Sequence, residues 1–177
     1  MKFNHTIASY DDTASINELM SLSIQGLLMP LLDKNELEAS YESMGLDRQL
    51  IDDGTYFLIF EKDNLVGCGG WSYRKTLFGS NDTPDRDGSF LNPKRDPARI
   101  RAMYTHPSWA RKGIGSLIMK LAEKEAKNAG FLKCELMATL SGLPLYKEQG
   151  YSELEDVIYK SALGNRVRMI RMEKKLL

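Results

Sequence analysis

Apolar positions change period several times along this chain, and each change marks an element. From Asp12 onward, Ile16, Leu19, Met20, Ile24 and Leu27 follow helical spacing, so one face of a helix is apolar. Gly26 and Pro30 are expected to limit that helix. A second helix is predicted from Asp33, with Glu36 three residues on as its capping-box partner. Leu37, Tyr41, Met44, Leu50 and Ile51 supply its apolar contacts, and Asp53-Gly54 ends it. Residues 2–8 form a short first strand. Thr55 to Glu61 and Leu65 to Arg74 are rich in strand-forming residues, and Lys62-Asp63-Asn64 between them is a hairpin turn.

The texture then turns polar. Residues 75–97 hold Gly79, Asn81, Asp82, Pro84, Asp85, Asp87, Gly88, Asn92, Pro93, Asp96 and Pro97. A loop of this length is either a substrate-side segment or a solvated excursion, and the sequence leaves both open. Order returns with a strand over Ile100 to Thr105, closed by His106-Pro107. Gly113 opens a helix to Ala129, with Leu117, Ile118, Leu121, Ala122 and Ala126 on its apolar face. Glu123 and Lys127 pair on the opposite face, and Gly130 suits the stop. Phe131 to Ala138 is a strand, Ser141 to Gln149 a short helix, Tyr151 to Tyr159 a strand and 165–174 the last strand. With no repeat and no second composition zone, residues 1–177 are expected to form one α/β domain.

Composition narrows the function classes. Hydrophobic residues make up 42% and charged residues 27% of 177 positions, as in an ordinary globular domain. Lys plus Arg and Asp plus Glu number 24 each, so no basic excess calls for nucleic acid. Cys68 and Cys134 lie in apolar stretches and are expected to be packed, reduced thiols. With His5 and His106 far apart, no metal site is expected. The stretch Met1 to Thr6 carries no apolar core of signal-peptide length. The longest apolar runs, Leu27 to Leu32 and Phe57 to Phe60, are far short of a membrane span. The expectation is a cytoplasmic chain with no membrane partner.

The candidate chemistry lies where the strand ending at Thr105 turns into the Gly113 helix. The first turn of a helix has unpaired N–H groups and a partial positive charge, and both suit a phosphate or diphosphate. Arg111 and Lys112 add charge beside it. A dinucleotide fingerprint would need glycine at Ile118, and a Walker A loop needs a Gly-Lys pair that the chain lacks. The run Ala110-Arg111-Lys112-Gly113-Ile114-Gly115 instead resembles the acetyl-CoA signature of the GNAT family, (Arg or Gln)-x-x-Gly-x-(Gly or Ala). Ala110 stands where Arg or Gln is typical. About one helix and one strand downstream, Leu145-Tyr146-Lys147-Glu148-Gln149-Gly150-Tyr151 resembles the family's later motif.

The resemblance, from about Thr55 onward, implies the GNAT fold, a mixed and mostly antiparallel central sheet splayed in the middle, with helices on both faces. It implies an acetyl-CoA-dependent N-acetyltransferase like bacterial members without an assigned substrate. The acceptor would be an amine of a small molecule, with a protein amine as an alternative. A non-enzymatic acyl-CoA-binding module is the rival reading, and a homodimer is open. Met103, Tyr104 and Thr105 would pair with the pantetheine arm. Arg111, Lys112, Gly113, Ile114, Gly115 and Ser116 would hold the diphosphate. Ser141 stands roughly where relatives have an Asn that touches the cofactor. Tyr146 is the implied general acid for the CoA thiolate. Glu135 resembles the position of a glutamate base in some members, and a solvent-facing strand glutamate is the other reading. His106 is assigned to the turn before Pro107, and Trp109 is expected to pack over it. Arg99, Arg101 and the basic residues of the long loop read either as attraction for an acidic substrate group or as surface charge.

Overall fold

In the computed structural model, which describes residues 2–84 and 86–176, seven strands form one sheet. Met1 and Asp85, named above in the N-terminal stretch and the long loop, lie outside the described residues. In chain order the elements are β1 (Asn4–Ile7), α1 (Thr13–Ser23), α2 (Lys34–Ser43), α3 (Arg48–Asp52), β2 (Tyr56–Glu61) and β3 (Asn64–Ser72). There follow β4 (Ala98–Thr105), α4 (Ile114–Asn128), β5 (Lys133–Ala138), α5 (Leu143–Glu148), β6 (Ser152–Lys160) and β7 (Arg166–Lys175). The spatial order is β1-β2-β3-β4-β5-β7-β6. Only the central pair, β4 with β5, is parallel; the other strand pairs are antiparallel. This is the mixed, mostly antiparallel sheet that the motifs implied.

The N-terminal third departs from the expected two helices. Gly26 does not end the first one: past Ser23 the chain winds on as a π segment, Ile24–Leu28, and a 3₁₀ turn, Met29–Leu31. A Cβ at Gly26 would collide with the ring of Pro107, so this glycine lets the helix end press onto the turn after β4. The second helix starts as predicted. The Asp33 carboxylate accepts from Glu36 N at 2.8 Å and Glu36 returns the bond to Asp33 N at 2.9 Å. It stops at Ser43 rather than running to Ile51, because Gly45 takes φ +142° and Asp47 caps a new helix by accepting from Gln49 N.

Two apolar layers fix the helices to opposite faces of the sheet. On one face Ile16, Leu19, Met20, Leu50 and Ile51 pack on Tyr56, Leu58, Cys68 and Tyr104. On the other, Met119, Ala122 and Ala126 of α4 meet Trp71, Phe131, Leu136 and Met172. Each fully buried large side chain contributes about 1.5–3 kcal/mol, so these layers supply most of the cohesion. α4 lies unusually close to β3. A Cβ at Gly69 would sit 2.9 Å from Ile118 Cγ2 and 2.9 Å from Met103 Cγ. The three glycines that blurred the strand pattern of β3 are thus places where neighbours approach the backbone.

Two features open the sheet. The β3–β4 register shifts between Cys68 and Gly70, where Ala102 takes φ +51°, so β4 carries a bulge. The β4–β5 pairing extends over only Ala98↔Cys134 and Arg99↔Glu135. Beyond those residues the strands part.

Gly70 tests the close packing. A Cβ there would run into the Thr55 carbonyl, a backbone atom that cannot rotate aside, whereas a Cβ at Gly88 meets nothing within 4 Å. Gly70→Ala is expected to lower unfolding stability by about 1–3 kcal/mol in urea titration. Gly88→Ala should leave it unchanged or raise it slightly, by about 0.4–1 kcal/mol.

Candidate active site

The parting of β4 and β5 creates a cavity. Its walls come from Ala102, Met103 and Tyr104 of β4, Met137 of β5, Thr139 and Ser141 after β5, and Tyr146 of α5. The end of α1 contributes Ser23 and Ile24, the α2–α3 break contributes Met44 and Gly45, and the long loop contributes Leu77, Phe78 and Gly79. The loop is therefore a wall of the cavity. Thr76, Ser80 and Thr83 are buried in it, and an isolated bridge joins Phe90 to Arg74.

Backbone groups of β4 face this opening. His106 N donates to Val66 O of β3, while Thr105 N turns the other way and reaches Ser23 Oγ at 3.3 Å. Two-residue alternation puts the Met103 N–H on the same side as that of Thr105. The Tyr104 side chain goes to the α1–α3 face, where its hydroxyl accepts from Gly45 N at 3.2 Å. Burial pushes Tyr104 far above its ordinary pKa, so it remains neutral.

Next to the opening, the chain rounds His106-Pro107 and enters α4. His106 Nδ1 accepts from Ser108 N at 3.2 Å, so the ring belongs to the turn. Trp109 packs edge-on against Phe3 and beneath the Lys112 ammonium, which also donates to Ser108 O at 2.9 Å. Arg111 and Gly113 both take left-handed backbone, φ +61° and +86°. The consequence is a run of free amides. From Arg111 to Ser116 no backbone N–H has a partner among the described residues; the first bonded amide is Leu117, to Gly113 O. No side chain caps this end, and the space beside Gly113 is open. Such a fifteen-residue helix concentrates roughly half a positive charge there. These features fit a diphosphate. Gly115, besides contributing one of these amides, serves the packing. A Cβ there would lie 2.6 Å from Leu145 Cδ2, so Gly115 lets α5 pack on α4. Gln149 Nε2 donating to Ser116 Oγ at 3.2 Å joins the same two helices.

That contact positions Tyr146. Its ring sits against Gly142, where a Cβ would come within 2.7 Å, and edge-on to Tyr151. The hydroxyl has no hydrogen-bond partner among the described residues, and burial pushes its pKa up to about 12. Ser141 lies at the same mouth, its hydroxyl 3.1 Å from Thr139 Oγ1.

Glu135 is elsewhere. It is 1% exposed and clamped between Arg99, its cross-strand neighbour, and Arg171 of β7. Burial and then the charge of Arg171 lower Arg99 to about 10, still protonated at neutral pH. Glu135 stands where β4 and β5 remain paired and does not line the cavity. The base expectation is thus not met by its placement, nor is the solvent-facing one. Its carboxylate is an internal counter-ion at the hinge of the splay.

Arg101 is also buried, at 4% exposure, so surface charge does not describe it. It pairs with Asp47 Oδ2 at 2.9 Å and donates to the carbonyls of Thr76 and Gly79. Arg86 takes the other Asp47 oxygen at 2.7 Å. Asp47, Gly45 and Met137 escaped the sequence reading. The only trace was the short interruption of helical pattern after Met44.

Among the described residues, no group of three His, Cys, Asp or Glu could hold a metal, and no helix is long and apolar enough to cross a membrane. Cys68 and Cys134 are free and buried.

Comparison with known proteins bears on the family and the fold. The model of the Acetyltransferase (GNAT) family matches residues 22–151. A search of curated proteins gives no match. Among solved structures, the GCN5-related N-acetyltransferase of Rhodopseudomonas palustris superposes with a TM-score of 0.73 at 16% identity, covering 99% of this chain and 97% of that one. PaiA N-acetyltransferase of Thermoplasma acidophilum, solved with coenzyme A, gives 0.66 at 16% identity, with 99% of each chain covered. YncA of Salmonella typhimurium, solved with acetyl-CoA, gives 0.63 at 17%, covering 99% of this chain and 94% of that one. At these identities the likeness is one of fold.

Replacing Glu135 by Gln leaves the largely covered Arg99 guanidinium, and the half-exposed Arg171, facing a neutral side chain. The variant is expected to lose about 3–5 kcal/mol of stability in denaturant titration. Titration with CoA at a temperature where the variant is folded should give wild-type affinity within a factor of about three, since 1.4 kcal/mol is tenfold.

Proposed function

The chain belongs to the GNAT acetyltransferase family, and we propose that it moves the acetyl group of acetyl-CoA to a primary amine of a small molecule by direct attack. The observation that carries this reading is the Tyr146 hydroxyl, unpartnered in the β4–β5 cavity beside a run of free amides. A small acceptor suits a cavity walled by the α1 end, the α2–α3 break and the long loop.

Bound acetyl-CoA supplies an acyl group activated as a thioester. The amides from Arg111 to Ser116 hold its diphosphate, and the free edge of β4 at Met103 to Thr105 holds its pantetheine arm. The Met103 N–H, directed into the opening, donates to the thioester oxygen as negative charge builds there; one such donor is worth about 2.7–4 kcal/mol. Ser141 lies at the cavity mouth, within reach of the same ligand.

Tyr146 acts on the sulfur. With its pKa near 12 it remains protonated at neutral pH. Complete transfer to a thiolate of ordinary pKa, about 8.5, is uphill by several units. The hydroxyl therefore works first as a hydrogen-bond donor to the departing sulfur. As the C–S bond breaks, the nitrogen of the new amide gives up its extra proton to water, and the thiolate takes up one proton through Tyr146, which is reprotonated from the same water.

No carboxylate or imidazole lines the cavity among the described residues. The acceptor, with an ordinary amine pKa of about 10.4, reaches its neutral form at pH 7 through loss of a proton to water, at a cost of about 4.6 kcal/mol. Glu135 has no part in that step, since two arginines hold it.

Tyr146→Phe should lower kcat by about 10²-fold or more in a thiol-release assay, with the CoA dissociation constant nearly unchanged. A collapse of CoA affinity with unaltered turnover of the bound complex would overturn the role. The active form of Tyr146 is protonated and its pKa is raised, so this contribution persists below pH 12 and disappears above it. The pH profile of kcat/KM should accordingly climb with amine deprotonation and show no descending limb up to pH 10.

A further inference from the structure

We propose that the acceptor carries a carboxylate besides its amine, and that Arg101 selects it. This rests on the acetyl-transfer reading of the same cavity. Arg101 is the one charged side chain among the described residues lining that cavity.

The charges do not balance around it. Asp47 has no exposed surface and is shared by two guanidinium groups, Arg101 on Oδ2 and Arg86 on Oδ1, while Gln49 N also donates to Oδ1. Thr76 O and Gly79 O accept hydrogen bonds from Arg101 but bring no charge. Among the described residues two cations share one anion, leaving one positive charge beside the cavity. Glu42, next to the cavity-lining Ser43, is turned to the β6–β7 hairpin, where Tyr159 OH and Ala162 N donate to its oxygens.

Holding the loop does not require that charge. Two carbonyls need only donors, and Arg86 already balances the Asp47 charge; Arg101 Nη1 lies 2.9 Å from Asp47 Oδ2 as an ion pair without a hydrogen bond. A guanidinium also has more donors than this one uses: Nε–H and one Nη2 hydrogen have no partner among the described residues. A carboxylate is the group that matches spare guanidinium donors, and at a side chain only 2% exposed such bonds are strong. The β4 bulge explains why Arg101 faces the acceptor. The extra residue at Ala102 puts Arg101 and Tyr104 on the same side of the strand, three positions apart, where regular alternation would separate them.

The test uses thiol release with α-, β- and γ-amino acids, each beside its methyl ester. The ester has the less basic amine, so intrinsic reactivity at neutral pH favours it. Recognition by Arg101 predicts that at least one free acid exceeds its ester by tenfold or more in kcat/KM. In Arg101→Gln that ratio should fall towards one, through a higher KM with kcat changed less than threefold. A purely structural Arg101 would lower the melting temperature and leave the ratio alone. Should the variant not fold, the wild-type ratio decides: esters equal to or better than acids throughout the panel overturn the proposal. Turnover confined to such esters or other neutral amines would leave acetyl transfer standing. Absence of thiol release with every amine would overturn acetyl transfer, and this inference with it.

Discussion

Neighbouring strands must either remain paired or leave backbone donors and acceptors facing a gap. β4 and β5 remain paired over two residues and then part. The unsatisfied edge that results is costly in an empty protein, because buried peptide groups demand partners. Here it borders a cavity, where Ser23 satisfies one amide and a ligand arm can satisfy others. The rest of the architecture follows from keeping that gap open. The α1 end, the α2–α3 break and the long loop wall one side, and α4 with α5 stand at its mouth.

The gap is held apart by charge at one end and by close packing at the other. At its closed end, Glu135 ties β4 to β7 through Arg99 and Arg171, a triad around one buried carboxylate that would be costly to leave unpaired. At the open end, glycines permit approaches no other residue allows. Gly115 admits Leu145, and Gly26 admits Pro107. The geometry of the free amides and the location of the tyrosine hydroxyl are thereby coupled, since α5 is packed against the first turn of the helix that bears those amides.

Buried charge distinguishes the two sides of the cavity. Toward the expected cofactor, positive potential comes from amides and the α4 dipole, fixed by backbone geometry. On the side walled by the long loop it comes from Arg101, held by Asp47 and by carbonyls of that loop. The first is built into the fold. The second depends on residues of three separate segments, the kind of site that can change while the fold remains.

Most elements were legible in the sequence because each rests on local periodicity and local chemistry. The capping box at Asp33 and Glu36, the β2–β3 hairpin and α4 all form where their patterns predict. The run Ala110 to Gly115 and the segment Leu145 to Tyr151 carried the family, since a phosphate turn and a short helix ending in glycine are written in adjacent residues. What the sequence by itself could not determine was long-range and electrostatic. A glutamate in a strand has the same local pattern whether it faces solvent, substrate or two arginines, and only the pairing of β5 with β4 and β7 decided Glu135. Likewise Arg101 met Asp47 because a bulge shifted one strand and a glycine broke one helix. Neither event has a period to read, and their product is a contact between residues more than fifty positions apart.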